Sequence, residues 1–441
     1  MTHQVVVGVD VGSGSARAVA IDRSGRVIAT SFSPYQGGET AVGAVDPQRW
    51  LEGTLAALGG LGIPTPLAIG IGGHGPTTVS ATGELALTFR YPIGESSNPR
   101  LQHEAHIAVL RHRFGNHVEP RQLWDWVLSR LGGRADSQSV WPPNEPLSEF
   151  GEPVPVGSVV GVTGGEFGLP AGIALVPGSH DAHMTAWGGG IDIPGRGFDP
   201  GGRTGGLGVA VEAGKHAGLD SYSMPSPVSG VHIVGGPVAA HGALLDWWAG
   251  ITGSPLSELL AEAESVPPGS AGVTALPFLD GERAPRWNPE LRAEIAGLHL
   301  SHDRRVVTRA LLESTAYGLG HIALTLRAQG VAIDRVVCSG APSRSRLWCR
   351  IKAAVLEVPL DIPEYEQLAC YGAALGAGSG IGWWPRPGSG VAGAWPRPAM
   401  TTVEPEPVEV YRRGLARFIE AGDVASARLS RRGDSQRDQR P

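Results

Sequence analysis

Cysteine is scarce in this chain: 441 residues hold three, Cys338, Cys349 and Cys370. None stands in a C-x-x-C pair and the count is odd. That argues against a disulfide framework or a zinc site, and for buried thiols in a reducing compartment. No apolar run reaches the ~20 residues a membrane-spanning helix needs. The basic and apolar regions of a signal peptide are missing, since a β-rich run begins almost at once, so the expected location is the cytoplasm. Positive charge is not in excess either: the net charge is −6, and neither nucleic acid nor a membrane is expected as a partner. What remains, 41% hydrophobic and 18% charged residues, suits a globular enzyme of two or three domains. Glycine (65) and proline (36) are plentiful, so turns should be many.

The most informative stretch is Val5-Val6-Val7-Gly8-Val9-Asp10-Val11-Gly12-Ser13-Gly14-Ser15-Ala16-Arg17-Ala18-Val19-Ala20-Ile21-Asp22. An apolar run ends on an acid, a Gly/Ser turn follows, and a second β-rich run ends on another Asp. A dinucleotide fingerprint would need a helix after the turn. Here strand follows strand. A hairpin tip of Gly and Ser offers N–H groups and hydroxyls to a phosphate, and Asp10 at the strand mouth can hold magnesium through water. The competing reading is a buried strand with an ordinary glycine turn.

Further along, strands are predicted over Val5–Asp10, Ala16–Asp22, Val27–Phe32 and Leu67–Ile71, and a helix capped by Asp46 runs to about Leu58. The Leu67–Ile71 strand ends in Gly72-Gly73-His74-Gly75-Pro76; strand-end loops are where α/β sheets place ligands. Helices are predicted for Arg100–Phe114 and Arg121–Leu131, loop for Asp136–Val156, and a strand Ile173–Val176 leading to Gly178-Ser179-His180-Asp181-Ala182-His183. A linker at 188–202 separates residues 1–192 from a second domain, 197–425, which again opens with a glycine turn and strand. Its predicted elements include a long helix Val306–Ala328, a strand Arg335–Cys338, a small-residue helix Gly372–Gly378 and a closing helix Val408–Ala421. Residues 426–441 are predicted to be disordered.

Together the motifs resemble the FGGY family of carbohydrate kinases, in order and over most of the chain. The most specific part is Gly281-Glu282-Arg283-Ala284-Pro285, followed by Gly297-Leu298-His299. Ser339-Gly340-Ala341-Pro342-Ser343 and Tyr371-Gly372-Ala373-Ala374 are similar to that family's adenosine turn and the helix behind it. Gly178–His183 looks like the segment bearing its catalytic aspartate. The resemblance implies an α/β fold of two actin-like (ribonuclease H-like) ATPase domains with a cleft between them. It implies ATP and Mg2+ as cofactors and a small sugar or polyol as substrate, with a pentulose such as xylulose or ribulose expected first; a homodimer is left open.

On this resemblance Asp181 is the catalytic base and Asp10 the metal ligand. Gly12, Ser13, Gly14, Ser15 and Arg17 face phosphates, with Thr204, Gly205 and Gly206 closing on them; Gly340, Ala341 and Ser343 line adenosine. His74, Gly75, Arg100, His180 and His183 are expected at the sugar. Three departures stand out: His74 replaces a common glutamine, the Trp-x-Asp-x-Arg sugar segment is absent with Phe89–Glu95 and Arg100 near its place, and the second phosphate turn reads Arg203-Thr204-Gly205.

Plainer alternatives accompany each reading. Asp181 also suits a helix N-cap, before Ala182-His183-Met184. His74 could fill its loop rather than touch sugar. His103, His106 and His112 with Glu104 have metal-like spacing, but such clusters are usually solvated helix faces. The rival functions are a sugar- or nucleotide-binding regulator that kept the fold, and an ATPase that drives another protein.

Overall fold

The computed structural model describes residues 4–36, 43–92, 99–141, 144, 146–214, 222–406 and 409–437. It divides into two compact units: Met1–Asp192 with Pro225–Val231 and Gln367–Ala399, and Ile193–Met224 with His232–Glu366 and Met400–Pro441. The first break falls between Asp192 and Ile193. The later segments do not follow the predicted two-block division, because residues 367–399 belong to the first unit.

The first unit is built on a six-stranded sheet. Its order is Gly161–Val162, Ala174–His180, Ala68–Gly73, β1 (Val5–Val11), β2 (Ser15–Asp22) and β3 (Val27–Pro34). The hairpin β1–β2–β3 is antiparallel, whereas β1 runs parallel to Ala68–Gly73, which runs parallel to Ala174–His180. All seven residues of β1 are buried, as expected of a strand covered on both faces. At the edge, β3 is less covered and alternates between half-buried and exposed positions. Val7, Val9 and Val11 share a core with Trp50 and Leu51 of α1 (Gln48–Gly59) and with Leu123 and Trp124 of α3 (Leu123–Arg130). Between these helices in sequence lies α2 (Pro99–Phe114). The helix α1 begins one turn-residue after Asp46, whose carboxylate accepts from Gln48 N at 2.9 Å.

The other face of the sheet takes two later helices, α4 (Asp181–Gly188) and α9 (Leu368–Gly380). They come close because small residues line the contact. A Cβ on Gly8 would lie 2.0 Å from Cys370 O, and one on Gly372 would lie 2.0 Å from Met184 O. This stripe of Gly and Ala explains why a segment far along the chain returns to the first sheet.

Within the predicted loop 136–156 the structure has two parallel strands, Ser137–Val140 and Glu152–Pro155, and a 3-10 turn at Ser148–Phe150. Pro142, Pro143 and Glu145 of that stretch lie outside the described residues. Strand formation there rests on buried polar pairing: Asp125 accepts from Ser139 N at 3.0 Å, and Trp124 donates to Ser139 Oγ at 2.5 Å.

The second unit has a seven-stranded sheet ordered Tyr222–Pro225, Val231–Val238, Gly205–Glu212, Arg196–Asp199, Arg335–Cys338, Leu360–Pro363 and Met400–Val403. Helices α5 (Gly242–Thr252), α6 (Leu256–Ala263), α7 (Arg304–Ala328), α8 (Arg346–Leu356) and α10 (Glu409–Arg437) complete it. The Asp303 carboxylate caps α7 by accepting from Arg305 N at 2.9 Å. The disorder expected from residue 426 is corrected as far as Arg437, where α10 ends; 438–441 lie outside the described residues. Ala421, Ala425 and Leu429, spaced by four, continue the helix's apolar face onto the core, and this favours helix over coil.

Candidate active site

Strand register assembles the site in the first unit. Asp10 lies opposite Arg17 on β2 and opposite Gly72 on the other side, while Gly73 lies opposite His180. Asp10, the His74 loop and the His180-Asp181 step therefore sit at the carboxyl ends of three adjacent parallel strands, the edge where open α/β sheets bind ligands.

Asp10 is 6% exposed. Arg17 Nη1 reaches its Oδ2 at 3.4 Å, and Oδ1 has no hydrogen-bond partner among the described residues. Burial pushes its pKa up to about 6 against the pull of Arg17, and the Asp181 charge pushes the same way. A buried carboxylate with one idle oxygen and too little positive charge beside it fits a cation. A single carboxylate supplies few ligands, so a bound Mg2+ would keep waters and phosphate oxygens for the rest.

At the predicted phosphate turn, Gly12 N donates to Ser15 O at 3.0 Å. Gly12 and Ser13 are half-buried and Gly14 is exposed; a Cβ on Gly14 would meet nothing within 4 Å. Ser15 is buried at the start of β2 and belongs to the strand rather than the open tip.

The helix α4 starts at Asp181, and His180 holds the N-cap position. The cap alternative for Asp181 is thus corrected: Asp181 is the first helical residue, and its carboxyl is 43% exposed. His180 Nδ1 lies 2.7 Å from Asp181 Oδ1, and His180 Nε2 lies 2.6 Å from Gly75 O. Burial works against charging His180, but the Asp181 carboxylate and the Gly75 carbonyl outweigh it and hold the ring above the ordinary histidine pKa. Burial likewise opposes ionising Asp181, yet His180 holds it below the usual carboxylate range.

His74 is buried with Nδ1 2.9 Å from Val11 O, so Nδ1–H donates to that carbonyl. Trp50 packs edge-on at 5.2 Å between ring centroids. His183 stacks on Trp141 at 4.9 Å with nearly parallel planes, and burial drives its pKa down to about 3. Gly75 contributes its carbonyl to His180. Arg100 is placed otherwise: it donates to Glu104 at 3.2 Å in an i,i+4 pair on an exposed helix face. Ile93, Gly94 and Glu95 of the substitute sugar segment lie outside the described residues. His103 and His106 turn inward to Thr78 Oγ1, at 2.8 and 3.2 Å, while His112 is exposed. The metal-like spacing on α2 is thereby split between two environments.

In the second unit, the turns 200–206 and 339–343 touch through backbone. Gly201 (φ +51°) and Gly340 (φ +71°) are left-handed, and a Cβ on Gly340 would lie 1.9 Å from Gly201 O. Thr204 and Ala341 are exposed at these turns. Gly205 and Gly206 are buried, their α-carbons tight against the His241 ring and Gly236 O. Ser343 is buried too, and its hydroxyl donates to Gly340 O at 2.7 Å. These three residues shape the turns rather than face outward from them.

Sequence reasoning missed Asp199, which it placed in a linker. It ends the first strand of the second unit and pairs with Lys352 Nζ at 2.6 Å, both side chains fully buried. The available signal was the pattern Phe198-Asp199-Pro200-Gly201-Gly202, a run ending on an acid before glycine, like Val9-Asp10-Val11-Gly12.

Residues 210–381 match the model of the FGGY family of carbohydrate kinases, C-terminal domain. Over that segment the chain carries the C-terminal domain of FGGY carbohydrate kinases. Across 454 aligned residues it is 23% identical to a xylulose kinase of Staphylococcus epidermidis, covering 87% of this chain and 89% of that one. A gluconokinase of Bacillus subtilis (strain 168) is 32% identical over 156 residues; this match spans 32% of the chain and only 30% of that relative's length. Likeness of fold reaches further than that segment, over 96% of the chain. A xylulose kinase from Rhodospirillum rubrum superposes with a TM-score of 0.74 at 23% identity, covering 96% of this chain and 99% of that one. A gluconate kinase from Lactobacillus acidophilus does so at 0.78 and 16%, covering 96% and 98%. The architecture is therefore α/β with the two-domain actin-like fold of these FGGY kinases.

Proposed function

We propose that this protein is an ATP-dependent sugar kinase that transfers the γ-phosphate to a terminal hydroxyl of a small ketose or polyol. A pentulose such as xylulose is the first candidate, a choice supported by the long alignment with the Staphylococcus epidermidis xylulose kinase. The observation that carries the reading is the meeting of Asp10 and Asp181 at one sheet edge, close enough that the Asp181 charge raises the Asp10 pKa.

Phosphoryl transfer needs positioning and charge stabilisation more than covalent help. Asp181 would accept a hydrogen bond from the substrate hydroxyl, orient its oxygen toward phosphorus, and take the proton as the new P–O bond forms and the P–O bond to the ADP oxygen breaks. A carboxylate held below its usual pKa is a weak base, which suits late proton transfer, when the attacking oxygen has become strongly acidic. The open tip Gly12–Gly14 and Arg17 would hold phosphate oxygens. Asp10 would hold Mg2+, which when bound neutralises charge on the phosphates. Thr204, Gly340 and Ala341 would be the remaining nucleotide contacts in this reading, and His74 and His183 would offer ring nitrogens to sugar hydroxyls. Asp181, as a lone partly exposed carboxylate at the strand ends, is the group we assign as base.

The test is ADP release from Mg-ATP over a panel of ketoses, polyols, aldonates and cyclitols. Sugar-dependent release is expected. Release without sugar would make the protein an ATPase; no release with retained ligand binding would make it a binder. Asp181→Asn should keep nucleotide binding and lose most turnover, and a near-normal rate in that variant would remove Asp181 from the mechanism.

A further inference from the structure

The side chain next to the assigned base is unusually constrained. His180 has both ring nitrogens at hydrogen-bond distance from oxygens of different elements: Nδ1 is 2.7 Å from Asp181 Oδ1 at the start of α4, and Nε2 is 2.6 Å from Gly75 O in the loop after Ala68–Gly73. Both oxygens are acceptors, so both contacts are satisfied only when both nitrogens carry protons. The Ala182 N–H points at Nδ1 from 3.1 Å and also donates to the Asp181 carboxylate, the acceptor left to it when Nδ1 carries a proton. A neutral ring protonated on Nε2 would accept from Ala182 but turn its Nδ1 lone pair on Asp181 at 2.7 Å. A neutral ring protonated on Nδ1 would give up Gly75. Only the imidazolium serves Asp181 and Gly75 together.

We propose that His180 is a positioning residue: as an imidazolium it ties the Asp181 carboxylate to the His74-Gly75 loop, fixing the orientation of the base relative to the substrate hydroxyl. This rests on the kinase reading above. His180 does not exchange the substrate proton; it links by side chain the two loops that follow the paired residues Gly73 and His180. The groups that act on it electrostatically are consistent with a retained positive charge. Asp181 and Asp10 favour it, while His103 and His183 are themselves held neutral by burial, each down to about 3. His74, the neighbour of Gly75, acts on Asp181 in the same direction as His180.

The experiment pairs kinetics with a titration that needs no turnover. His180→Gln keeps a polar side chain but cannot carry charge. It should lower kcat by about 10- to 100-fold with KM for Mg-ATP within about twofold, and shift the acid limb of the pH–kcat profile upward, because Asp181 loses the charge that holds it ionised. In the wild type the rate should also fall on the alkaline side through a group titrating above the ordinary histidine range. Nitrogen-15 shifts of His180 in the ligand-free protein should report a raised pKa that drops in Asp181→Asn. An unchanged kcat and unmoved acid limb in His180→Gln would overturn the proposal, as would a His180 titration indifferent to Asp181→Asn. If the wild type shows no sugar-dependent ADP release, the kinase reading fails, while the nitrogen-15 titration still decides whether His180 and Asp181 form the charged pair.

Discussion

Lys352 Nζ lies 2.6 Å from Asp199 Oδ2, with each side chain 1% exposed. Asp199 ends the first strand of its unit, as Asp10 nearly ends β1 of the other, and in both units a glycine turn follows. The electrostatics differ. Asp10 keeps an idle oxygen, whereas Asp199 is neutralised by Lys352 and gives its other oxygen to Gly201 N at 3.1 Å. Asp199 is thus the anchor of the turn 200–206, and Asp10 is the acid whose charge has no such partner beyond Arg17.

Lys352→Met should therefore destabilise the second unit by about 3–5 kcal/mol in urea denaturation, because it strands a buried carboxylate. Adding Asp199→Asn should recover part of that loss. Burial raises the Asp199 pKa, but the Lys352 charge outweighs it and holds the carboxyl below its ordinary value. Its contribution is then present above the ordinary aspartate pKa and is lost as pH falls through the lower folded value. A Lys352→Met protein as stable as wild type would refute this role.

Asp10 has the opposite sign. Its folded pKa of about 6 exceeds the ordinary 3.8, so the folded ligand-free protein holds a proton that the unfolded chain releases. Stability then falls as pH rises from about 4 through about 6, by an amount on the order of 2–3 kcal/mol. Asp10→Asn should melt higher than wild type at pH 8 without ligands and the same at pH 4. Mg2+ with ADP should raise the melting temperature of wild type and not of the variant. The reverse ordering at pH 8 would contradict the idle-oxygen account.

Arg286 explains much of the sequence signature that first marked the family. Its Nη1 donates to both oxygens of Glu282 at 2.8 and 2.9 Å, and its Nη2 donates to Ile419 O at 2.7 Å. The signature acid therefore staples the irregular loop to α10 through Arg286. Arg286→Met should cost about 3 kcal/mol or more and speed proteolysis of α10, while leaving KM for sugar unchanged. A change in sugar KM without a stability loss would contradict this structural role of Glu282.

The strands and the order of motifs were legible because they depend on local pattern: Val5–Val11 is continuously apolar apart from Gly8 and Asp10, and Arg335–Cys338 was bounded correctly by its flanks. The strand-end positions of Asp10, His74 and Asp181 were legible for the same reason. What escaped depends on contacts distant in sequence. Nothing near Gly372 indicates that its helix packs against Gly8. The Ser139–Asp125 bonds that stabilise a strand in a Pro/Ser/Glu stretch have no periodic trace. Asp199 was missed because Pro and Gly around it read as linker until Lys352, 153 residues later, is seen to pair with it.

Gly14 separates the phosphate reading from an ordinary turn. Its Cβ would enter open space, and its φ is not left-handed, so the fold places no demand for glycine there. At Gly12, by contrast, a Cβ would lie 3.0 Å from Ser15 O. If the tip only joins two strands, Gly14→Val should be neutral in every assay. If phosphate oxygens approach the tip, the added methyl groups occupy their path. Gly14→Val should then leave the urea midpoint within about 0.5 kcal/mol of wild type and raise KM for Mg-ATP about tenfold or more, with KM for sugar little changed. Because stability is expected to hold, a loss of nucleotide affinity cannot be ascribed to unfolding, and unaltered Mg-ATP kinetics would reduce the Gly12–Ser15 turn to a connector.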